Sequence, residues 1–496
     1  MKAWYNREPE LSFGKGNRHV DPKVGLALFG PFVSEGQVGS SLGIINIGIV
    51  GPREASFQAE TLLTDIQRPI ETVSNDQMLF PRFPGFQSAF LSKIQIPSTL
   101  KLVIPADEVE GIISMRHPRE RVLSAADSYL KRLEVFQSVQ PTPSIVICAI
   151  SKEFEDYCWS SGVSLLTKEQ KREAKERKQL REQGQLFLDD FDEEMTPVVK
   201  TGGRGTNLRS LIKAKSMQMG IKTQLLRETT LSGERSTQPR STLAWNFCVG
   251  LYFKAGGFPW RLAHTYQDVC FVGISFYRER GSDPVTMGTA IAQVFDESGE
   301  GLIVKGSKIE WGAEEHRSPH LDKTAATDVV RKVLSIYETR GVKRPNHFVF
   351  HKTSKFWQEE TEGLRASLGN DTRVDFVAIE GGEIKGVRDG KFPPIRGTCI
   401  SLDKREYLLY GMGFIPYLGT YPGHHVPQPL HVIEHQGDST PQEICSQIIS
   451  LTKLNWNTSQ FCCGNPITLN IARKVSSILT ELPDNAKIDP SYRYYM

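Results

Sequence analysis

The sequence predicts an α/β protein, and two observations indicate this fold class. The first is a continuous apolar run, Ser144–Ile150, which is bounded by polar residues. Such a run is typical of a strand that is buried on both faces of a parallel sheet. The second is the alternation of strand-like and helix-like segments from about Val269 onward. Strands mixed with helices indicate an α/β half with a mixed sheet.

Length and composition limit the class of protein. The chain has 496 residues, 39% hydrophobic and 24% charged, with a net charge of +3. This length accommodates two to four domains, and the composition is that of a soluble globular protein. No run of 18 or more apolar residues occurs, and Met1–Arg7 lacks an apolar signal core. We therefore expect a cytoplasmic protein without a membrane span. The eight cysteines have no CxxC spacing, which favours buried thiols over a metal site.

The first half of the chain contains one clear strand and one long charged segment. Residues 1–140 are rich in Gly and Pro, with short apolar runs such as Gly25–Pro31. After the buried strand, a short helix is predicted from Glu153 to about Trp159. Residues 168–182 carry many charges of both signs, which is typical of an exposed helix with i,i+4 pairs; a helix facing nucleic acid is the alternative. The acidic stretch Asp189–Glu194 favours a solvated insertion.

The remaining elements follow a glycine-rich loop. Gly202–Asn207 precedes a helix that begins at Leu208, and Thr206 or Asn207 can cap it. The later strands are predicted at Cys270–Phe276, His347–His351, Val374–Ile379, Glu406–Leu409 and Leu430–Glu434, and the later helices at Lys323–Thr339, Pro441–Thr452 and Leu469–Leu482.

One apolar helix ends in a single lysine. The segment Leu243–Lys254 is followed by Gly256-Gly257 and then by Pro259-Trp260. Glycine after the last periodic residue and proline shortly beyond it are signals of a helix C-terminus. Lys254 at the end of an otherwise buried helix needs an anionic partner or a route to water.

A second basic element suggests an anion site. Arg209 and Lys213 are four residues apart, so they share one face of the helix that begins at Leu208. Free N–H groups and the helix dipole favour anions near a helix N-terminus. Lys222, Gln224 and Lys254 complete a phosphate pocket if the fold brings them together. The alternative is an ordinary basic pair on a solvated helix.

The remaining motifs give weaker evidence for a chemical function. Three histidine pairs have spacings that zinc sites use, but no HExxH motif accompanies them, so loop or packing roles are favoured; they are His316/His320, His424/His425 and His431/His435. No GxSxG or Walker motif occurs, so hydrolase and NTPase classes lack support.

Two segments resemble a known family. The helix end Lys254–Gly257, and the tail formed by Leu454–Asn457 and Pro466–Arg473, resemble the corresponding segments of Argonaute proteins. The likeness covers roughly residues 140–496, and the chain is too short for N and PAZ domains. It therefore resembles a short prokaryotic Argonaute. The resemblance implies a Rossmann-like MID domain followed by an RNase H-like PIWI domain. Residues 1–140 would be the N-terminal part of the MID lobe, 141–258 the MID core that binds the guide 5′ phosphate, and 259–496 the PIWI domain.

The resemblance also assigns the anion site. In Argonautes the MID pocket holds the 5′ phosphate of a guide strand, and its positions are matched here by Arg209, Lys213, Gln224 and Lys254. The position of one further basic residue is Gly250. Related proteins also use a divalent ion and the C-terminal carboxylate, which implies Mg²⁺ at the guide phosphate with Met496 as its ligand.

The slicing centre is degenerate by the same comparison. PIWI domains that cut use four acidic or His positions to hold two metal ions, and the carboxylates offset the charge of these ions. Three of those positions are matched here by Ser275, Thr353 and Arg473. An arginine would repel a metal ion. The resemblance therefore implies a chain that does not cut nucleic acid.

The implied function is that of a guided sensor. Members of this group bind a guide RNA with a 5′ phosphate, recognise complementary single-stranded DNA, and act with a partner that bears an APAZ region. That partner carries a TIR or sirtuin-like NAD-consuming domain, or a nuclease, which an invading plasmid or phage would activate in prokaryotic immunity. An oligomer on activation is left open. Predicted contacts to the nucleic-acid backbone are Lys352, Lys355, Arg396 and Lys453.

Two other functions remain open at this stage. One is a guide-dependent nuclease with a non-standard active site, which would cut with divalent ions as an isolated chain. The other is a nucleotide-binding α/β protein that uses Arg209 and Lys213, and that would bind mononucleotides as well as 5′-phosphorylated oligomers.

Overall fold

The structure is a computed structural model. It describes residues 2–33, 42–72, 74, 76–161, 206–231, 239–264, 268–278, 286–295, 301–306, 309–310, 320–341, 343–389, 393–423, 426–483 and 486–496. The charged segment 168–182, the acidic stretch Asp189–Glu194 and most of the glycine-rich loop lie outside these ranges, as do His316, His424 and His425.

The described strands and helices alternate along the chain. The strands are β1 (Ala3–Tyr5), β2 (Leu11–Ser12), β3 (Arg18–His19), β4 (Ile44–Pro52), β5 (Lys93–Gln95), β6 (Lys101–Ile104), β7 (Ile145–Ile150), β8 (Thr223–Arg227), β9 (Arg261–Leu262), β10 (Val269–Arg278), β11 (Thr286–Phe295), β12 (Gly301–Lys305), β13 (Ile309–Glu310), β14 (His347–Lys352), β15 (Arg373–Gly381), β16 (Thr398–Ser401), β17 (Tyr407–Leu409) and β18 (Leu430–Gly437). The helices are α1 (Pro22–Phe29), α2 (Arg53–Asp65), α3 (Phe86–Phe90), α4 (Ala106–Ile113), α5 (Pro118–Val135), α6 (Lys152–Cys158), α7 (Leu208–Gln218), α8 (Glu228–Leu231), α9 (Arg240–Ala255), α10 (Lys323–Arg340), α11 (Gln358–Ala366), α12 (Pro441–Leu451) and α13 (Ile467–Leu479).

The first sheet is parallel throughout. Its order is β5-β4-β7-β8, and β6 pairs with the second half of β4. Every residue of the central strand β7 is buried, as the continuous apolar run predicts. Helix α2 packs against β4, and α5 packs against both β4 and α7. The segments before and after residue 140 therefore contribute strands to one sheet.

The second sheet is mixed and has ten strands. Its order is β1-β16-β17-β18-β15-β14-β10-β11-β12, and β13 pairs with β11. Strands β10, β14 and β15 are parallel to one another, whereas the other pairings are antiparallel. Helix α13 packs on β10 and β11, and α10 packs against α11. The N-terminal strand β1 forms one edge of this sheet, so the first residues of the chain join its last half.

Within the described residues, the elements named from the sequence are confirmed, with shifted bounds. Helix α13 begins at Ile467 and ends at Leu479, which is two residues before the predicted start and three before the predicted end. The proline at position 466 fits directly before a first helical turn, because its missing N–H has no partner there. Strands β8, β9, β11, β12, β13 and β16, helices α8 and α11, and the individual elements before residue 140 were not predicted. None of the described helices is long and apolar enough to cross a bilayer.

Candidate phosphate-binding site

Helix α7 presents two basic residues from a well-capped N-terminus. The side chain of Asn207 accepts a hydrogen bond from the backbone N–H of Ser210 at 3.2 Å, as its residue type predicts. Arg209 lies in the first turn and is half-buried. Lys213 lies one turn later, and its side chain is 2% exposed. Helix α7 therefore carries one half-buried cation in its first turn and one buried cation a turn later.

The two predicted lysines converge on one backbone carbonyl. Lys213 donates from Nζ to the carbonyl oxygen of Thr223 at 2.6 Å. Lys254, at the end of α9, donates from Nζ to the same oxygen at 3.3 Å and also to Oε1 of Gln224. Gln224 in turn donates from Nε2 to the carbonyl oxygen of Leu225 at 3.0 Å. These hydrogen bonds bring Lys213, Gln224 and Lys254 together at the start of β8.

This arrangement concentrates positive charge in the interior. Lys254 is 2% exposed, and both of its described acceptors are neutral oxygens. The thiol of Cys148 in β7 lies close enough to Lys213 and Lys254 for both ammonium groups to act on its pKa. Burial raises the pKa of this thiol to about 12, although the two ammonium groups oppose the shift. Two buried ammonium groups that share one oxygen repel each other, and a dianion in contact with both would offset that repulsion.

Helix α9 ends one residue after Lys254, and Gly256 forms its C-terminal cap. Gly256 has φ of 124°, a conformation that L residues rarely adopt, and its N–H bonds to the carbonyl oxygen of Phe253. The Arg493 side chain donates to that same carbonyl at 2.5 Å, with its guanidinium 4.5 Å from the Phe253 ring centroid. Sequence reasoning missed Arg493, because no local pattern links it to a helix 240 residues earlier.

The other predicted members of the site are Lys222, Gly250 and Met496. Lys222 directly precedes β8, and its carbonyl oxygen accepts from the N–H of Val146 at 2.9 Å. A Cβ added at Gly250 would lie 3.6 Å from the carbonyl oxygen of Trp456, so this position has room for a methyl group. Met496 is 4% exposed and belongs to the same apolar cluster as Phe253. Its role as a ligand stays a prediction.

The donor set at the lysines does not by itself fit Mg²⁺. The two oxygens at the site, Thr223 O and Gln224 Oε1, are bonded to ammonium groups. Mg²⁺ needs oxygen ligands in near-octahedral geometry, usually with several waters and a phosphate. Within the described ranges, no group of three or more His, Cys, Asp or Glu residues could hold a metal ion. The predicted ion would therefore depend on the terminal carboxylate and the phosphate itself.

The three degenerate positions lie in or beside strands of the second sheet, or in the helix that packs on it. Ser275 is in β10, opposite Ala290 of β11, and is half-buried. Thr353 directly follows β14 and is exposed. The backbone of Arg473 is in α13, and its side chain lies outside the described set.

An ion pair occupies the carboxyl end of β14. Lys352 Nζ lies 2.5 Å from Glu360 Oε2, and the side chains are 1% and 0% exposed. The ammonium also lies 4.6 Å from the ring centroid of Phe356 and 5.9 Å from that of Phe276, which follows Ser275. The Glu360 carboxylate at this end of the sheet is therefore already engaged by an ammonium group.

Three of the four predicted contacts to the nucleic-acid backbone are wrong, because their side chains are buried and paired with internal carboxylates. Lys352 pairs with Glu360, whereas Arg396 and Lys453 both bind Glu8. Lys355 is exposed, and its role stays a prediction. A lone basic residue in a sequence does not reveal whether its partner is an internal carboxylate.

The described members of the predicted histidine pairs are held by neighbours. His431 lies 2.8 Å from Glu406, His435 lies 2.9 Å from Asp375, and His320 stacks on Trp357 with ring centroids 4.6 Å apart. His347 also binds Asp375, at 2.6 Å. These contacts are those of packing and hydrogen-bonded histidines.

Comparison with known proteins identifies the fold. No family model matches the chain. Protein argonaute of Aquifex aeolicus (strain VF5) is 21% identical over 292 residues, which are 58% of this chain and 38% of that protein.

Solved structures match nearly the whole chain. Clostridium butyricum Argonaute, solved with a guide DNA and a 19-mer target DNA, superposes with a TM-score of 0.60 at 15% identity, covering 98% of this chain and 54% of that one. Drosophila Piwi gives a TM-score of 0.59 at 12% identity, covering 99% and 56%. The Aquifex protein with externally bound siRNA gives 0.54 at 16% identity, covering 99% and 56%.

These similarities define the architecture. The chain has an Argonaute-like fold, and the match to the Aquifex protein indicates homology to Argonaute. The predicted fold class, a Rossmann-like MID domain followed by an RNase H-like PIWI domain, is confirmed. The chain spans 38% of the curated relative and about half of each solved structure. The predicted domain bounds stay predictions.

Proposed function

We propose that this chain is a short prokaryotic Argonaute that holds the 5′ phosphate of a guide RNA with Arg209, Lys213, Gln224 and Lys254. The observation that carries the proposal is the convergence of Lys213 and Lys254 on the carbonyl oxygen of Thr223. A terminal phosphate carries close to two negative charges and several acceptor oxygens, which suits paired ammonium groups. Arg209, one turn nearer the helix N-terminus, would contact the phosphate from the rim.

The guide then supplies the specificity. In guided systems, base pairing reads the sequence while the protein holds the backbones. The solved Clostridium butyricum Argonaute carries a guide DNA and a target DNA. For this chain we propose a guide RNA and complementary single-stranded DNA from an invading plasmid or phage.

We further propose that the chain does not cut its target. Ser275 and Thr353 lack a carboxylate, and the position of the last ligand is Arg473. The nearby Glu360 carboxylate is already engaged by the Lys352 ammonium. Two divalent ions would need several carboxylates to offset their charge.

A target that is bound and not cut can act as a signal. The duplex persists and shifts a conformational equilibrium if it binds one state better than the other. The proposed output is a cytoplasmic partner protein with an APAZ region and a TIR, sirtuin-like or nuclease domain. Its activation would deplete NAD or degrade DNA in the infected cell, and assembly into an oligomer would be one route to activation. No step of this proposal requires Mg²⁺.

The test compares two guides that differ in one group. Affinity is measured for an RNA of about 20 nucleotides with a 5′ phosphate and for its 5′-hydroxyl twin, after which complementary DNA and divalent ions are added and cleavage is monitored. We expect a clear preference for the phosphate and no cleavage product. Equal affinity for the two guides would remove the phosphate pocket. Metal-dependent cutting would establish the nuclease alternative.

A further inference from the structure

A second cavity lies at the other end of helix α9 from Lys254. It encloses about 70 Å³ and opens to solvent. Its walls come from the start of α1, residues 78–80, the first two turns of α9, residues 412–422 and residues 459–462. It therefore lies between the two halves of the chain.

The walls are mostly apolar and include flat and polarisable groups. Phe80 and Phe461 contribute rings, Met78 and Met412 contribute thioethers, and Leu418 contributes an aliphatic side chain. Phe461 is itself stacked on Tyr417, with ring centroids 5.9 Å apart and an interplanar angle of 17°. A planar ring makes favourable contacts with both aromatic rings and thioethers.

Two polar atoms at the cavity have unmet hydrogen-bonding capacity. The hydroxyl of Thr242 and the Nε2 group of Gln460 are buried and have no hydrogen-bond partner among the residues that the structure describes. Both residues line the cavity, and Thr242 is 6% exposed. A buried polar group without a partner costs about 1–3 kcal/mol. Such groups persist in pockets where a ligand or an ordered water completes their hydrogen bonds.

The cavity wall also includes a cation. Lys23 lines the cavity and is 8% exposed, and its Nζ donates to the carbonyl oxygen of Leu79 at 2.7 Å. An ammonium has three donors, so it can meet a further acceptor. Gln460 Nε2, the Thr242 hydroxyl and Lys23 together favour a ligand that presents hydrogen-bond acceptors.

We propose that this cavity binds a single nucleobase-type ring, which is a planar heteroaromatic group with carbonyl or imine acceptors on one edge. The apolar walls would cover its faces, while Thr242 and Gln460 would meet its polar edge. Proteins that bind an isolated base use this combination of stacking and edge hydrogen bonds. A purely apolar ligand would leave both polar atoms unsatisfied. The ring can belong to a free nucleoside or to a base of a bound strand.

The inference does not rest on the proposed guide function. The cavity lies at Thr242, three helical turns from Lys254 on α9, and a nucleoside carries no phosphate. A failure to bind nucleosides would leave the phosphate comparison untouched, and a failure of the phosphate comparison would leave this cavity unexplained.

The test measures binding of adenosine, guanosine, cytidine and uridine to the full chain by calorimetry and by shift of Tm. The variants are Thr242→Val, which removes the hydroxyl at equal size, and Gln460→Met. Thr61→Val is the matched control, because the Thr61 hydroxyl is exposed and bonds within α2 to the carbonyl of Phe57. We expect at least one nucleoside to bind, with affinity about 3- to 10-fold weaker in each cavity variant and unchanged in the control.

Stability without ligand provides a second readout. Since the Thr242 hydroxyl has no partner among the described residues, Thr242→Val should leave Tm unchanged or raise it in the absence of nucleoside. The proposal is overturned if no nucleoside binds, or if both cavity variants bind as tightly as the unmodified chain. Competition with a bound guide and target then identifies the source: displacement of the nucleoside assigns the site to a strand base, and joint binding assigns it to a free nucleoside.

Discussion

Lys213 and Lys254, from two different helices, donate to the same backbone carbonyl, that of Thr223, at 2.6 and 3.3 Å. A phosphate that reaches this point meets both ammonium groups at once. Because each charge-assisted hydrogen bond contributes about 1.5–3 kcal/mol, removal of both should be costly for a phosphorylated guide alone.

The first prediction concerns Lys213→Ala combined with Lys254→Ala. We expect affinity for a 5′-phosphorylated guide to fall by roughly 100-fold or more, and affinity for the 5′-hydroxyl guide to change little. Lys215→Ala, on the same helix, is the matched control for loss of charge, and it should affect both guides equally and weakly. Filter binding with the two guides measures the difference. Equal losses for both guides in the double variant would argue against the pocket.

The second prediction concerns removal of divalent ions. The oxygens at the lysine pair are already bonded to ammonium groups, so the phosphate preference should not need Mg²⁺. We expect the ratio of affinities for the two guides to persist in EDTA and to rise little with added Mg²⁺. If the ratio collapses in EDTA, and a short peptide extension after Met496 has the same effect, then a metal ion at the terminal carboxylate supplies the binding.

Local pattern in the sequence was sufficient for β7 and for the two helices that carry Lys213 and Lys254, whereas β8 was not predicted. The run at Ile145–Ile150 predicted a fully buried strand, and the glycines after Lys254 predicted the end of α9, because both signals depend only on adjacent residues. The phosphate positions came from spacing and family resemblance, and the structure brings Lys213, Gln224 and Lys254 into contact.

Long-range pairing could not be predicted in the same way. Arg396 and Glu8 are 388 residues apart, and nothing near either residue indicates the other. The same holds for Arg493, which reaches the carbonyl of Phe253 from the end of the chain. The sequence therefore suggested contacts between the nucleic-acid backbone and Arg396 and Lys453. Their burial against Glu8 excludes these contacts.

The third prediction concerns the buried pair of Lys352 and Glu360. Glu360→Gln would leave an ammonium buried without its counter-charge, so we expect the free energy of unfolding to fall by about 3–5 kcal/mol. Lys352→Met combined with Glu360→Leu should recover most of this loss, since no charge is then buried. Urea unfolding measures both.

The control for this pair is Glu362→Gln. Glu362 pairs with Lys323 at 3.1 Å, but both side chains are largely exposed, so we expect no measurable loss of stability. A Glu360→Gln chain as stable as the control would show that the buried ammonium finds another partner or loses its proton.

The fourth prediction concerns Glu8, which joins the N-terminal segment to the second sheet. Its carboxylate lies 2.8 Å from Arg396 Nε and 2.8 Å from Lys453 Nζ, and those cations are 1% and 2% exposed. Burial by itself would raise the pKa of Glu8, but Arg396 and Lys453 outweigh it and hold the pKa below its ordinary value. At pH 7, Glu8→Gln should lower the free energy of unfolding by about 3–5 kcal/mol, because two buried cations lose their counter-charge.

The pH dependence of that loss has a definite sign. A carboxyl whose pKa is lower in the folded state stabilises the fold above its unfolded pKa, which is about 4.3 for Glu, and this contribution is lost as the pH falls through the folded value. The difference in unfolding free energy between the unmodified chain and Glu8→Gln should therefore be largest at neutral pH and shrink below about pH 4. Glu10→Gln is the control, because Glu10 is half-exposed and lies 3.7 Å from Arg18. Urea unfolding from pH 7 to pH 3 measures the trend, and a difference that stays constant with pH would mean that Glu8 does not act through its charge.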